Sequence, residues 1–589
     1  METILKRLQQ KAADAISLAF KDLLPRDSEL LIPEVLQSTN PQFGDYQCNN
    51  ALKLSKELKE NPRSIAEKIV SHLNTKDESG DAMISKIEIA GPGFINLTID
   101  PLFLSKEMNA VLKNSHLGVP LPKKPMRIIV EFSSPNVAKE LHVGHLRSTI
   151  IGDCLARLFE FLGHHVIRLN HVGNWGTQFG MLIAYMQEVV PQVLTGAEKT
   201  DLPTLMQWYK ESKKRFDEDP EFKKRAQLQV VQLQGGDPKS LHAWQIICEI
   251  SRQAYQEIYD LMDVKLLERG ESFYNPYLDG VIQDLEKKGL ITISDGAKCV
   301  FLEGFESREG KPLPMIVQKS DGGYNYETTD MAALKHRIRE EKAERIIIVT
   351  DAGQSLHFQM VFKAAEKVGY LDPKKVQVDH VTFGVVLGPD GKKFKTRAGD
   401  TEKLIDLLRE AIVHAKKLLV ERLTDVSEKE IDEIAAVLGI DAVKYADLSC
   451  HRQKDYVFSY DRMLKFDGNT AAFLLYAYVR INGIKRKVQK NIDDVMKIGR
   501  IELKHPSEII LALHLRQFGE TLEMVARDLL PNRLSDYLYV LAEKFHAFFR
   551  DCRVEGDPQE DSRLLLCEAT ARILKQGLNI LGLKTIDRM

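Results

Sequence analysis

A doubly wound α/β domain interrupted by a helical insertion, preceded by a small α+β module and followed by an all-α bundle, is the architecture this sequence predicts. Three observations carry that prediction. At 589 residues, with roughly 100–200 residues to a domain, the chain has room for several cores. Between Met126 and Gly399 short apolar runs alternate with amphipathic stretches, the pattern of strands alternating with helices. Beyond Thr401 almost every segment has helical spacing.

Residues 1–115 read as the small α+β module. The opening METILKRLQQKAADAISLAFKDLL mixes charged and apolar residues at helical spacing, and Ser64 to Leu73 does so again. Ile84 to Ala90 alternates like a half-exposed strand, and the turn Gly91-Pro92-Gly93 leads into the apolar run Phe94 to Leu97. A Pro- and Lys-rich linker, Gly118 to Pro125, marks a boundary. In residues 126–400, strand Ile128–Val130, helix Val143 to Leu162 and strand His165 to Leu169 form one βαβ half. Strand Arg345 to Thr350, helix Leu356 to Val368 and strand Val381 to Leu387 form the other, so the sheet is predicted to be doubly wound. Between them, about 187–267 reads as a helical insertion, with Lys213, Lys214 and Arg215 beside Asp217, Glu218 and Asp219 on solvated faces. Residues 401–589 read as the bundle, with Leu541, Phe545 and Phe548 on one helix face.

Composition narrows the function classes. With 44% hydrophobic and 28% charged residues the chain is neither fibrous nor disordered. No apolar run approaches the roughly 18–20 residues that span a bilayer, and the first residues lack the compact apolar core of a secretory signal. A net charge of -2 from 82 basic and 84 acidic residues excludes coating nucleic acid by charge alone, while leaving room for local basic stripes. The seven cysteines form no C-x-x-C pair, so neither a disulfide framework nor a structural metal is expected, in keeping with a reducing cytoplasm.

The segment Glu131 to His145, EFSSPNVAKELHVGH, follows a strand and opens a helix. There, free backbone N–H groups and the helix dipole favour a phosphate. His142 and His145 add donors for charge developing on phosphate oxygens, and Gly144 lets a nucleotide approach the backbone. Roughly 0.03 H-x-G-H matches are expected by chance in a chain of this composition. A second element is the loop Gly388 to Asp400, GPDGKKFKTRAGD. Its glycines give mobility, and Lys392, Lys393, Lys395 and Arg397 give charge suited to a triphosphate and its leaving pyrophosphate.

Together these elements resemble the class I aminoacyl-tRNA synthetases, with His142-Val143-Gly144-His145 matching the HIGH signature and Lys393-Phe394-Lys395-Thr396-Arg397 a degenerate KMSKS loop. The runs Asn40 to Gln47, Gly91 to Asn96, Ser134 to Lys139, His171 to Gly180 and Asp455 to Leu464 narrow the resemblance to the arginyl-tRNA synthetase family, over essentially the whole chain. H-x-G-H also occurs in small nucleotidyltransferases and in class I synthetases for other amino acids, but the long helical C-terminal third argues against the former. A catalytically silent RNA-binding relative is opposed by the intact signature residues.

The resemblance implies a Rossmann-type catalytic domain, a tRNA-contacting N-terminal module and an anticodon-binding bundle. It implies ATP-dependent activation of L-arginine to arginyl-adenylate and transfer to tRNA(Arg) in the cytoplasm. The partners it implies are tRNA(Arg) and arginine, with no DNA and no membrane, for a monomer. ATP is a substrate carrying Mg2+ on its phosphates, and no tightly bound protein metal is expected. Ser134, Pro135, Asn136, His145, Tyr326, Asp330 and Gln354 border arginine. His142, Gly144, His145, Lys393 and Lys395 border ATP. His142, His145, Lys139 and Lys393 carry the catalysis, with Lys139 compensating for the lysine that the usual motif has at Thr396. A carboxylate and a hydroxyl four residues apart on a helix suit a guanidinium, which fits Asp330 and Tyr326. Asn174 stands where the family often has Asp. In the bundle, Arg462, Lys465, Phe466, Asn469, Tyr476 and Arg480 are the expected tRNA contacts, within a wider set of basic and aromatic residues of which at least half the rings belong to the core.

Overall fold

A computed structural model describes residues 1–25, 28–307, 309–388, 390–392 and 402–589. Five parallel strands make the central sheet, in the order Gln377–Phe383, Arg345–Asp351, Arg127–Glu131, His165–Asn170, Leu267–Glu268. Their side chains alternate between two cores. Ile128, Val130, Ile347 and Val349 join the cluster shared with the N-terminal module and the bundle, while Ile129, Ile346 and Ile348 join the cluster on the opposite face. The first strand in sequence is central, so the chain winds outward on one side and then on the other, leaving a crevice at the carboxyl ends of strands 127–131 and 345–351.

The N-terminal module is a four-stranded antiparallel sheet, with Ile84–Ala90 paired to Phe94–Ile99 as the alternation predicts, packed against helices Ile4–Ala19 and Pro62–His72. After strand His165–Asn170 of the central sheet and helix Thr177–Val189, helices Pro191–Leu194, Leu202–Glu218, Pro220–Gln234 and Pro238–Leu261 form the insertion. Helices from Leu404–Arg422 to Glu560–Ile580 form the bundle, in which Leu541, Phe545 and Phe548 are fully buried.

Two features depart from the sequence reading. A three-stranded antiparallel sheet of Thr292–Ser294, Ala297–Glu306 and Pro312–Gln318 lies in the second half, unannounced by periodicity because Pro312 and Pro314 interrupt its edge strand with a register shift. The strand expected over Val381 to Leu387 is instead two strands. Gln377–Phe383 ends the parallel sheet, and Val386–Leu387 pairs with Tyr456–Val457, which follows the second long helix of the bundle region. Gly384 permits the change of partner, since a Cβ there would stand 2.7 Å from the Lys454 carbonyl.

Candidate functional site

The crevice holds a cavity of about 770 Å³. Ser134, Asn136, His142, Gly144, His145, Tyr326, Asp330 and Gln354 all line it, which brings together residues that lie more than 200 positions apart in sequence. Pro135 is buried just behind this wall, its carbonyl accepting from the Gly173 N–H at 3.0 Å. Lys139 is exposed, outside the cavity lining but close enough for its charge to lower the pKa of both signature histidines. Lys393, Lys395 and Thr396 lie outside the described residues. The described flanks of that loop both reach the site. Val386 lines the cavity, while Lys403 forms a β-bridge with His142 and an ion pair with Glu140 at 2.8 Å.

The two histidines are locked by the start of helix Val143–Phe161. His142 is its N-cap, and its Nδ1 accepts the Gly144 N–H at 3.0 Å; His145 Nδ1 accepts the His142 N–H at 3.1 Å, closing a capping box. An Nδ1 that accepts from a backbone N–H carries no proton, so in each neutral ring the proton sits on Nε2 as a donor. Burial, then the charge of Lys139, lowers the pKa of His142; burial, then His142, takes that of His145 down to about 3. Both are therefore neutral donors at physiological pH. Gly144 has a local reason beyond access for a nucleotide: a Cβ there would meet His142 Cε1 at 2.7 Å, so glycine lets the ring fold over the helix start.

At the other end of the cavity, helix Tyr326–Arg339 places Tyr326 and Asp330 one turn apart, with Tyr326 67% exposed at the mouth. Asp330 Oδ2 accepts from His357 Nε2 at 2.6 Å. Burial opposes charge on His357, but this hydrogen bond and the carboxylate charge prevail and raise its pKa. Facing Asp330 is Glu271, whose pKa burial and the Asp330 charge push up to about 7. Sequence reasoning missed both Glu271 and His357. Glu271 lies in no recognisable motif. His357 carried a weak signal, a polar residue near the start of an otherwise amphipathic helix, Ser355–Val368. Asn174 explains how Glu271 is held: its Oδ1 accepts the Ser272 N–H at 3.0 Å and packs where a Cβ on Gly270 would clash. An amide suffices for that work, and it adds no third negative charge beside the two carboxylates.

In the bundle, Arg462, Lys465 and Asn469 are exposed, and Phe466, Tyr476 and Arg480 are half-buried. Lys465 and Phe466 line a hollow of about 680 Å³ together with His414, Lys417 and Arg422, the Arg422 guanidinium lying 3.9 Å from the Phe466 ring centre. Arg480 stacks on Tyr476 and Phe549 at 4.6 and 5.1 Å. Of the six rings at 456, 458, 460, 466, 476 and 478, Tyr456, Phe458 and Tyr478 are buried in the core, and Tyr460, Phe466 and Tyr476 are half-buried. Arg452 donates to the Leu529 and Thr382 carbonyls as a strut between bundle and sheet.

Three family profiles cover the chain: "Arginyl tRNA synthetase N terminal domain" over residues 6–99, "tRNA synthetases class I (R), catalytic domain" over 107–460, and "DALR anticodon binding domain" over 474–589. A protein of Protochlamydia amoebophila named "Arginine--tRNA ligase" is 63% identical over 591 residues, covering 100% of both chains. Another of that name from Trichodesmium erythraeum is 51% identical over 596 residues, again covering 100% of both. The crystal structure of arginyl-tRNA synthetase from Plasmodium falciparum superposes with a TM-score of 0.87 at 35% identity, covering 100% of each chain. The Thermus thermophilus arginyl-tRNA synthetase shares the fold, with a TM-score of 0.78 at 22% identity and the same coverage.

Proposed function

The chain belongs to the arginyl-tRNA synthetases of class I and, with ATP as substrate, charges tRNA(Arg) with arginine for translation; from that premise we propose how its own residues divide the work. The observation that carries the assignment is a single cavity with neutral imidazole donors at one end and two carboxylates at the other.

Asp330 and Glu271 receive the guanidinium, with the Tyr326 hydroxyl and Gln354 completing its shell. Two facing carboxylates repel each other when empty, so a fork-shaped cation that relieves the repulsion is favoured over neutral side chains. Ser134 and Asn136 border the amino acid's polar end. His142 and His145 donate from Nε2 to the α-phosphate while the arginine carboxylate oxygen attacks phosphorus and pyrophosphate leaves. The terminal ribose hydroxyl of tRNA then attacks the acyl carbon, and AMP departs. Lys139 stabilises the departing pyrophosphate together with Lys393 and Lys395. Mg2+ arrives on the ATP phosphates, the hard oxygen ligands it prefers.

The N-terminal module, residues 1–115, and the bundle, 401–589, grip tRNA, the latter through Arg462, Lys465, Phe466, Asn469, Tyr476 and Arg480. The protein works as a cytoplasmic monomer without DNA or membrane partners. Seven unpaired cysteines, six of them buried, support a reducing compartment. Pyrophosphate exchange with each amino acid, with and without tRNA(Arg), tests the assignment: arginine alone is expected to support exchange, and comparable exchange with lysine overturns the paired-carboxylate pocket.

A further inference from the structure

Loop 132–142, which joins the first strand to the signature helix, holds three residues other than glycine in the left-handed region: Ser133 at φ 68°, Ser134 at φ 46° and Ala138 at φ 61°. Such a backbone persists only when its surroundings over-determine it. Much of the restraint comes from a distant helix. On Pro238–Leu261, the last helix of the insertion, Ser251, Tyr255 and Tyr259 follow at intervals of four and so share one face; all three are buried. Ser251 Oγ accepts the Ala138 N–H at 3.0 Å while donating to the Ile247 carbonyl at 2.9 Å. The Tyr255 hydroxyl lies 2.8 Å from the Asn136 carbonyl oxygen and 2.6 Å from that of Lys139, and donates to this pair. Tyr259 OH shares a hydrogen bond of 2.8 Å with Ser133 Oγ and accepts from Asn170 Nδ2 at 3.3 Å, and Asn170 Oδ1 in turn accepts the Ser134 N–H at 2.9 Å. Burial raises the pKa of Tyr259 to about 12 and that of Tyr255 further, so both phenols remain O–H donors.

We propose that this row of hydroxyls on the insertion helix braces the strained loop, and that Tyr255 is a positioning residue for adenylate formation. Its side chain lies outside the cavity lining. It ties the carbonyls on both sides of Ala138, and so sets where the loop presents Asn136, Lys139 and, three residues on, His142. The insertion thereby helps to shape the activation site in addition to standing beside it. The guanidinium end of the cavity rests on the Tyr326–Arg339 helix and on Glu271, whereas the hydrogen bonds of the brace go to residues 133–139, to Asn170 and to its own helix. Loss of the brace therefore acts chiefly on the rate of activation, and reaches arginine affinity only through the polar end that Ser134 and Asn136 border, leaving the guanidinium contacts in place.

This inference rests on the reading of residues 134–145 as the site of adenylate formation, and the experiment separates the two. In ATP–pyrophosphate exchange by the full-length protein, Tyr255→Phe is expected to lower kcat by about 10–100-fold, with the KM for arginine within about threefold of the parent. Because glycine adopts the left-handed region without strain, adding Ala138→Gly to Tyr255→Phe is expected to recover part of the lost rate. A parental kcat in Tyr255→Phe while His142→Asn remains slow overturns the brace alone; parental rates in both overturn the site reading too. A fall in kcat joined by an equal rise in the KM for arginine, with no recovery from Ala138→Gly, identifies Tyr255 as a general packing residue and also overturns the proposal.

Discussion

His142 does two jobs in one ring, and they are separable. Its Nδ1 caps the helix through the Gly144 N–H, and its Nε2 is left to donate into the cavity. His142→Ala removes both. Losing the cap costs about 1 kcal/mol of stability, within a range of roughly 0.5–2. Losing a preorganised donor aimed at developing charge costs about 2.7–4 kcal/mol of transition-state stabilisation, a factor of roughly 10²–10³ in rate. Asparagine is among the best N-caps but is too short to reach where Nε2 points, so His142→Asn keeps the first function and loses the second. Steady-state pyrophosphate exchange is the assay, with thermal unfolding measured alongside. Both variants are expected to slow exchange by the same roughly 10²–10³, with only the alanine variant melting earlier, by about 2 °C or less for a chain of this size. If asparagine restores exchange to within a few fold of the parent while alanine does not, His142 acts as a cap alone and the donor assignment fails.

The remaining predictions address the other groups of the site. Asp330→Asn, which keeps shape but removes the charge beside His357, is expected to raise the KM for arginine by at least ~100-fold and that for ATP far less; equal losses for both substrates contradict the pocket. Because Glu271 takes up a proton near pH 7 and a bound guanidinium favours its ionised form, the KM for arginine should rise by up to about tenfold per pH unit below 7. Glu271→Gln is expected to flatten that dependence, and a persisting slope assigns it to another group. The pKa of His145 is lowered on folding, so its contribution to stability is complete above pH 6.5 and is lost as pH falls toward 3. His357 has the opposite sign, its contribution being complete below 6.5 and lost as pH rises through its raised pKa. His145→Gln should therefore flatten part of the fall in melting temperature between pH 6.5 and 4, and an unchanged slope rules His145 out as its source. Lys139→Ala is expected to slow activation far more than it weakens arginine binding, with Thr396→Lys restoring part of the rate; a parental rate in Lys139→Ala removes the compensation idea.

What the sequence determined by itself was whatever one short stretch of chain encodes. The H-x-G-H spacing at a strand-to-helix junction pointed to an anion site at a helix start, because a helix start is built from consecutive residues. The short apolar runs Ile128 to Val130 and Arg345 to Thr350, set among helical stretches, foretold strands of a doubly wound sheet, since an unbroken apolar run suits a strand covered on both faces. The four-residue interval between Tyr326 and Asp330 foretold a shared helix face for the same kind of reason.

Only the tertiary structure decided which distant groups meet. Glu271 faces Asp330 because Asn174, nearly a hundred positions earlier, holds the backbone of the next residue. Ser251, Tyr255 and Tyr259 read locally as ordinary residues of an amphipathic helix, and their role appears only when that helix packs against loop 132–142. The expected strand over Val381 to Leu387 is broken at Gly384 by the approach of Lys454, a contact between segments 70 residues apart. Periodicity records the face a residue turns to the interior. It carries no record of what lies across from that face, and the chemistry of this site depends on what lies there: a carboxylate's neighbour sets its charge, and a strained loop's neighbour holds its shape.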